Sequence, residues 1–364
     1  MQKRIFFRIP EYILNMHVHG RSFTQRHKAT VLQILTQARL GLINTLGYMP
    51  NTQPPITSIP MLQAYKNLIA HAKKKLQVAH KQYVWFGVTD YDLLECKLAL
   101  QDEDVIGLKI YPKAEDGSTI TTGTIGVICD KTILEAMKLG AKYNKPIAIH
   151  GDDPVIIAAC KGNPIKAEVS YDKKVLQIAN LVPGVKIYFC HVSCRDSAEL
   201  ILRAQTAGIT AVIELCSHYL WFDNSGTNWA PGLNPAFYKC FNCLRSPEHR
   251  QFLINLLQKD NPLIIVSTDD AWHTKKEKLS VNPPGGFPSV RQMVPAMVTL
   301  AVQHKISEAR VAQLLSFNAS EFFEIPVPKK LVEYEWELQP DETDYNNGMV
   351  ENPWKGSRLY FPIL

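Results

Sequence analysis

His17 and His19 stand two residues apart at the end of an apolar run that begins at Ile9. Residues i and i+2 of a strand share a face, so both imidazoles can reach toward one point, as two ligands of one metal ion would. A lone pair of this kind also arises as two hydrogen-bonded histidines. Other chemically unusual residues fall at the ends of later apolar runs: Lys109, His150, His191 and Asp269. The chain has only eleven His. Four of them and one Asp at such ends favour a metal site over four unrelated core histidines.

Lys109 lies in Val105-Ile106-Gly107-Leu108-Lys109-Ile110-Tyr111. An ammonium in so apolar a strand is costly unless its charge is paired or chemically removed. Reaction with CO2 would make it a carbamate, an anionic ligand able to bridge two metal ions. The alternative is a lysine that reaches solvent or an acidic partner, and the histidines tip the balance to the bridge. Asp269, within Ser267-Thr268-Asp269-Asp270-Ala271-Trp272-His273, could bind one metal and accept a proton from its water, whose pKa a metal lowers toward about 7. Asp269 or Asp270 could instead cap a following helix.

The elements that must position these residues alternate. Eight β-branched or apolar runs, 9–19, 41–50, 83–89, 105–111, 146–150, 185–192, 209–216 and 262–269, are separated by segments of helical period such as 58–82, 130–143, 171–180, 195–207 and 247–258. Such alternation implies βαβ crossovers and a parallel sheet, and eight units suit a closed (β/α)8 TIM-type barrel, whose site lies at the strand C-terminal ends. The barrel is expected over 1–325. Beyond it, 326–364 is rich in Pro, acids and aromatics, and is expected as an extended C-terminal appendage packed on the barrel.

Composition sets the remaining bounds. With 46% hydrophobic and 20% charged residues the chain reads as globular, and no apolar stretch is long enough for a membrane span. The N-terminus has neither an apolar h-region nor a cleavage site, and eight Cys are too few for a disulfide scaffold, so a cytoplasmic location with reduced thiols is expected. The net charge of +6 includes Lys73-Lys74-Lys75, which reads as a solvated face rather than a nucleic-acid patch because no aromatics interleave it. Cys240 and Cys243 form a single CxxC without a second pair, and Asn318-Ala319-Ser320 and Gly285-Gly286-Phe287 read as a chance tripeptide and a turn.

His17-Val18-His19-Gly20-Arg21, Met49-Pro50-Asn51-Thr52, Lys109-Ile110-Tyr111-Pro112, Ile149-His150-Gly151, Cys190-His191-Val192-Ser193 and Thr268-Asp269-Asp270-Ala271-Trp272-His273 together resemble the motifs of the dihydroorotases, cyclic amidohydrolases of the amidohydrolase superfamily, in the family's order. The resemblance implies two Zn2+ ions. His17, His19 and Asp269 would hold one, His150 and His191 the other, with N6-carboxylated Lys109 between them. It implies that Arg21, Asn51 and His273 bind the substrate carboxylate and its surroundings, that Leu220 of Ser217-His218-Tyr219-Leu220 contacts substrate, and that Thr121 and Thr122 lie in a substrate-covering loop, 113–127. The implied reaction is the reversible conversion of dihydroorotate and water to N-carbamoyl-L-aspartate in pyrimidine biosynthesis, with Asp269 as the catalytic residue.

Two departures bear on the substrate. Arg21 is followed by Ser22-Phe23-Thr24 where the family commonly has an acidic residue and glycine, and Cys216-Ser217-His218-Tyr219 stands where it often has proline and paired histidines. Allantoinase, hydantoinase or dihydropyrimidinase activity, and a catalytically silent partner of a pyrimidine-pathway enzyme, are the alternatives. The partners expected are a small-molecule substrate and, as an open alternative, a second copy in a homodimer; neither nucleic acid nor membrane is expected.

Overall fold

The structure is a computed structural model that describes residues 3–90, 93–117, 125–160 and 162–363. Its centre is a sheet of eight parallel strands in sequence order. They are β2 (Leu14–Val18), β3 (Thr45–Tyr48), β4 (Tyr83–Gly87), β5 (Val105–Ile110), β6 (Ile147–Ile149), β7 (Lys186–Phe189), β8 (Thr210–Cys216) and β9 (Ile264–Ser267), preceded by β1 (Arg4–Pro10). The last strand returns to the first: Val18 bridges Asp270, and the His19 amide donates to the Asp270 carbonyl at 2.9 Å. The expected (β/α)8 barrel is the observed fold.

Helices α1 (Val31–Leu40), α2 (Ile59–Leu76), α3 (Leu93–Ala99), α4 (Asp130–Lys142), α5 (Pro154–Ala159), α6 (Ile165–Ala179), α7 (Arg195–Thr206), α8 (Ser217–Trp221), α9 (Pro247–Leu256), α10 (Lys275–Lys278) and α11 (Met293–His304) run between and after the strands. Local signals set their starts. Thr30 and Gln33 form a capping box on α1, Asp153 caps α5, and prolines sit in the first turns of α2, α5 and α9. The segment expected as a helix over 171–180 begins six residues earlier, at Ile165.

Strand parity sorts the core into shells. Trp85, Ala148, Tyr188, Val212 and Ile265 fill the barrel interior, while their neighbours Val84, Ile147, Ile187, Ile213 and Val266 pack outward under the helices. Two residues further toward the strand C-terminal ends, the inward positions turn polar: His150 just past β6, Cys190 just past β7, and Glu214 still within β8. A floor of apolar side chains thus supports a polar layer, as the barrel requires.

In β2 the parity changes. Leu14 and Met16 belong to the interior, but Val18 belongs to the outer shell, and the pairing with β3 shifts register between Asn15 and Val18. A bulge of this kind re-aims the side chains beyond it. It is what turns the odd-numbered His17 and His19 inward.

The chain ends depart from expectation. The run 9–19 is two elements, broken after Pro10, and the tail is folded rather than extended: β10 (Leu331–Pro340) and β11 (Arg358–Pro362), which follow α12 (Glu308–Ala312) and α13 (Asn318–Phe323), join β1 in an antiparallel sheet ordered β1-β10-β11. A division of the chain at residue 325 therefore separates β1 from its partner strand. Trp336 explains the pairing: it is fully buried, and its indole donates to the Phe7 carbonyl at 3.0 Å. Between β10 and β11 the segment carrying Tyr345 and Trp354, both also fully buried, lies along the barrel. Tyr345 packs edge-on to Trp272 at 4.9 Å, and the Trp354 indole donates to the Pro288 carbonyl. No helix among the described residues is long and apolar enough to cross a membrane.

Candidate metal centre and substrate rim

The bulged end of β2 and the end of β9 bring three donors to one point. His19 Nε2 is 2.7 Å and His17 Nε2 3.1 Å from the same Asp269 oxygen, Oδ1. The far nitrogens are held in turn: His17 Nδ1 meets Glu214 Oε2 at 2.8 Å, and His19 Nδ1 meets Asn51 Oδ1 at 2.6 Å. Each anchor leaves Nε2 facing the common point, the arrangement by which outer carboxylates and amides orient metal-binding imidazoles.

Charge tells the same story. Burial alone would lower His17, but Glu214 and Asp269 outweigh it and hold its pKa well above the ordinary value. Burial alone would raise Asp269, yet His17 and His19 hold it well below the usual carboxylate range. Burial pulls His19 down to about 4. The pocket therefore favours one positive charge between two carboxylates, and His17, His19 and Asp269 together form a group able to hold a metal ion. The donor set fits a divalent cation in place of that proton.

The second half of the layer stands beside it. The His191 ring is 5.6 Å from that of His17 and 4.5 Å from that of His150. His150 Nε2 meets Asp152 at 3.0 Å, whereas His191 Nδ1 is buried with no hydrogen-bond partner among the described residues. Burial, then His150, hold His191 well below its ordinary pKa. A neutral imidazole with a buried free nitrogen suits a metal better than a core. His191 and Asp269 have φ of +42° and +47°. Such backbone in residues other than glycine is strained and concentrates at functional sites. Lys109, fully buried, points its Nζ at Cys190 Sγ, 2.8 Å away, and lies 4.9 Å from the centroid of the Tyr111 ring.

Glu214 was not among the residues singled out from the sequence. It is fully buried and accepts from His17 Nδ1, from the Tyr188 hydroxyl at 2.9 Å and from the His191 amide at 2.7 Å, so one carboxylate ties both halves of the layer together. Two residues past His191, Ser193 is fixed by a second buried acid. Glu168 accepts from its amide at 2.8 Å and from its hydroxyl, and Arg245 closes the group at 3.1 Å from Glu168.

The remaining predicted residues divide. Arg21, Asn51 and His273 are gathered at one edge of the layer. Arg21 Nη1 donates to the Asn51 carbonyl at 3.2 Å, and its Nη2 lies 3.4 Å from His273 Nε2. Gly286 must be glycine there: its φ is +157°, and a Cβ would stand 2.4 Å from the Ala271 carbonyl oxygen and 2.7 Å from His273 Cδ2. Leu220, in α8, packs with the apolar core rather than the polar rim. Thr121 and Thr122 lie outside the described residues. Asp270 is no helix cap. Its Oδ1 accepts from the Ser289 and Val290 amides at 2.6 and 2.9 Å, fastening the loop before α11, and burial raises its pKa to about 7. Cys240 and Cys243 are both free thiols.

No family model matches the chain. A dihydroorotase of Brevibacillus brevis is 26% identical over 340 residues, covering 86% of this chain and 73% of the relative. One of Coxiella burnetii is 24% identical over 355 residues, covering 95% and 94%. An allantoinase of Enterococcus faecalis is 24% identical over 337 residues, covering 86% and 72%. Among solved structures, the L-hydantoinase of Arthrobacter aurescens superposes with a TM-score of 0.83 at 20% identity, covering 98% of this chain and 83% of that one. Dihydroorotase of Saccharomyces cerevisiae in complex with 5-fluoroorotic acid gives 0.78 at 19% identity, covering 98% and 100%. The structures establish the shared barrel, and the sequence similarity along most of the chain is to cyclic amidohydrolases. Within that class the resemblance carried by the motifs is to the dihydroorotases, the name that recurs most among its relatives.

Proposed function

We propose that the protein is a binuclear, metal-dependent dihydroorotase that interconverts dihydroorotate and N-carbamoyl-L-aspartate in pyrimidine biosynthesis. The observation that carries this reading is the convergence of His17, His19 and Asp269 on one point, with Arg21, Asn51 and His273 gathered beside it. His17, His19 and Asp269 would hold one zinc ion, His150 and His191 the other, and a carboxylated Lys109 would join them. Bound there, the cations would polarise the ring carbonyl and bring the pKa of water toward about 7.

The chain's own residues do the rest. Asp269, kept ionised by its two histidines, takes the proton of the attacking water at a carboxylate oxygen and returns it to the departing ring nitrogen. The Arg21 fork pairs with the exocyclic carboxylate, and Asn51 and His273 complete its cradle, so that binding becomes orientation of the ring. Thr121 and Thr122 would cover the bound ring. A cytoplasmic location belongs to the same reading and is supported by eight cysteines that are all free thiols.

The allantoinase relative and the hydantoinase barrel favour a second reading, the same chemistry on another ring, with Ser22-Phe23-Thr24 as the altered part of the pocket. Metal analysis and a side-by-side assay of dihydroorotate, allantoin and hydantoin on one preparation separate the two. Dihydroorotate is expected to have the highest kcat/KM by at least an order of magnitude. A preference for either neutral ring would replace this assignment.

A further inference from the structure

A lysine outside all of the family motifs completes the edge where Arg21 and His273 meet. Lys28 lies between Gln25 and α1 and is nearly buried, with its Nζ 2.9 Å from Glu277 Oε1 and 3.4 Å from His273 Nδ1. Glu277 is itself fixed, because it forms a capping box with Thr274 at the start of α10. Lys28 is thereby held against the imidazole. Across the ring, His273 Nε2 lies 3.4 Å from Arg21 Nη2. The His273 side chain is wholly buried between these two cations. Burial, then Arg21 and Lys28, keep it well below the ordinary pKa of histidine, so the ring is neutral.

A neutral imidazole has one N–H and one bare nitrogen, and here a cationic donor faces each. The ammonium of Lys28 is a compact charge, whereas that of Arg21 is spread over a guanidinium, so the lone pair is better placed toward Lys28. The reverse tautomer would aim Nδ1–H at the ammonium, and the facing Glu277 carboxylate oxygen, Oε2, is 3.9 Å from Nδ1, beyond hydrogen-bond reach. With Nδ1 bare, Nε2 carries the hydrogen on the side shared with Arg21 Nη2. Nε2–H and the guanidinium then stand side by side as donors, and a carboxylate with two oxygens can accept from both.

Resting on the carboxylate role proposed above, we propose that Lys28 is a positioning residue that fixes the Nε2–H tautomer of His273. His273 and Arg21 then present adjacent donors to one carboxylate. Lys28 thus sets the preference for rings that carry a carboxylate without touching the substrate. A ring lacking that group offers no carboxylate to the Nε2 hydrogen, so it gains nothing from the fixed tautomer.

Long-range 1H–15N NMR of histidine-labelled protein reads the tautomer directly, with the His273 signals assigned by their loss in His273→Asn. The wild-type protein is expected to show a bare Nδ1 and a protonated Nε2. In Lys28→Met the equilibrium shifts toward Nδ1–H, and KM for dihydroorotate rises roughly tenfold with kcat changed about twofold or less, while KM for hydantoin is unmoved. Lys28→Arg, which keeps a cation but spreads its charge as Arg21 does, falls between wild type and Lys28→Met in both tautomer and KM. Lys28→Leu, which likewise removes the cation and its donors, shows the same change as Lys28→Met and serves if that variant does not fold. An unchanged tautomer in folded Lys28→Met or Lys28→Leu, or an equal rise of KM for hydantoin, overturns the proposal. The tautomer measurement needs no turnover, so a protein inactive on all three rings would defeat the functional assignment while the role of Lys28 was still decided.

Discussion

Replacing Glu214 by Gln removes one charge from the polar layer and changes almost no volume. Glu214 accepts from His17 Nδ1, the Tyr188 hydroxyl and the His191 amide. An amide can accept at only one of its two ends. The His191 N–H cannot turn, but the Tyr188 hydroxyl can, so the glutamine NH2 is expected to face Tyr188 and the oxygen to stay with His17 and His191. The hydrogen bonds survive as neutral ones, roughly half as strong as charge-assisted bonds, at a cost of about 1–2 kcal/mol. Loss of an outer carboxylate behind a metal-binding histidine typically lowers metal affinity about 10- to 100-fold. Zinc competition against a chromogenic chelator, with the metal-free variant unfolded in parallel, measures both effects. Affinity within about twofold of wild type would refute the view that Glu214 holds His17 for a metal.

Three further outcomes follow from the same layer and its rim. Asp269→Ala should abolish turnover while retaining most of the bound metal, and a near-normal rate would remove Asp269 from proton transfer. Lys109→Ala should reduce the metal count per chain, and unchanged stoichiometry by elemental analysis would count against a carboxylated bridge. Lys278 is nearly buried, donates to the carbonyls of Lys239, Pro284 and Gly286, and is lowered by burial to about 7 from 10.5. Between those pH values the unfolded chain binds the extra proton, so stability should gain a component that rises with pH across that window. Thermal unfolding of Lys278→Met at pH 7, 8.5 and 10 should lack that rise relative to wild type.

The barrel was legible because its strands and helices are short, alternating and locally patterned, and the histidines were legible because they close those strands. Glu214 escaped because it lies inside its strand rather than at the end. Its signal was present in Val212-Ile213-Glu214-Leu215, where parity with an interior valine puts an acid into the barrel. Lys28 and Glu277 meet across about two thirds of the sequence, and neither residue's neighbours hint at the other. The bulge that turns His17 and His19 inward is likewise a property of the pairing with β3, not of the run itself. The sheet β1-β10-β11 was missed for the same reason: the register matches Arg4 with Glu337 and Pro10 with Leu331, while locally β1 merges with the apolar run that follows it.

That sheet, and the segment inside it that presses Tyr345 against Trp272 and ties the Met349 carbonyl to the Lys275 amide, have a consequence for biosynthesis. Every candidate metal ligand has been synthesised once Asp269 is made, yet the loop carrying His273 gains part of its support from residues some seventy to eighty positions later. Until β10 emerges, β1 is a strand with its N–H and C=O groups unpaired, an invitation to join another chain. Strand β1 must therefore wait for β10, and the rim beside the metal layer is finished only when the segment that follows β10 has packed on the barrel.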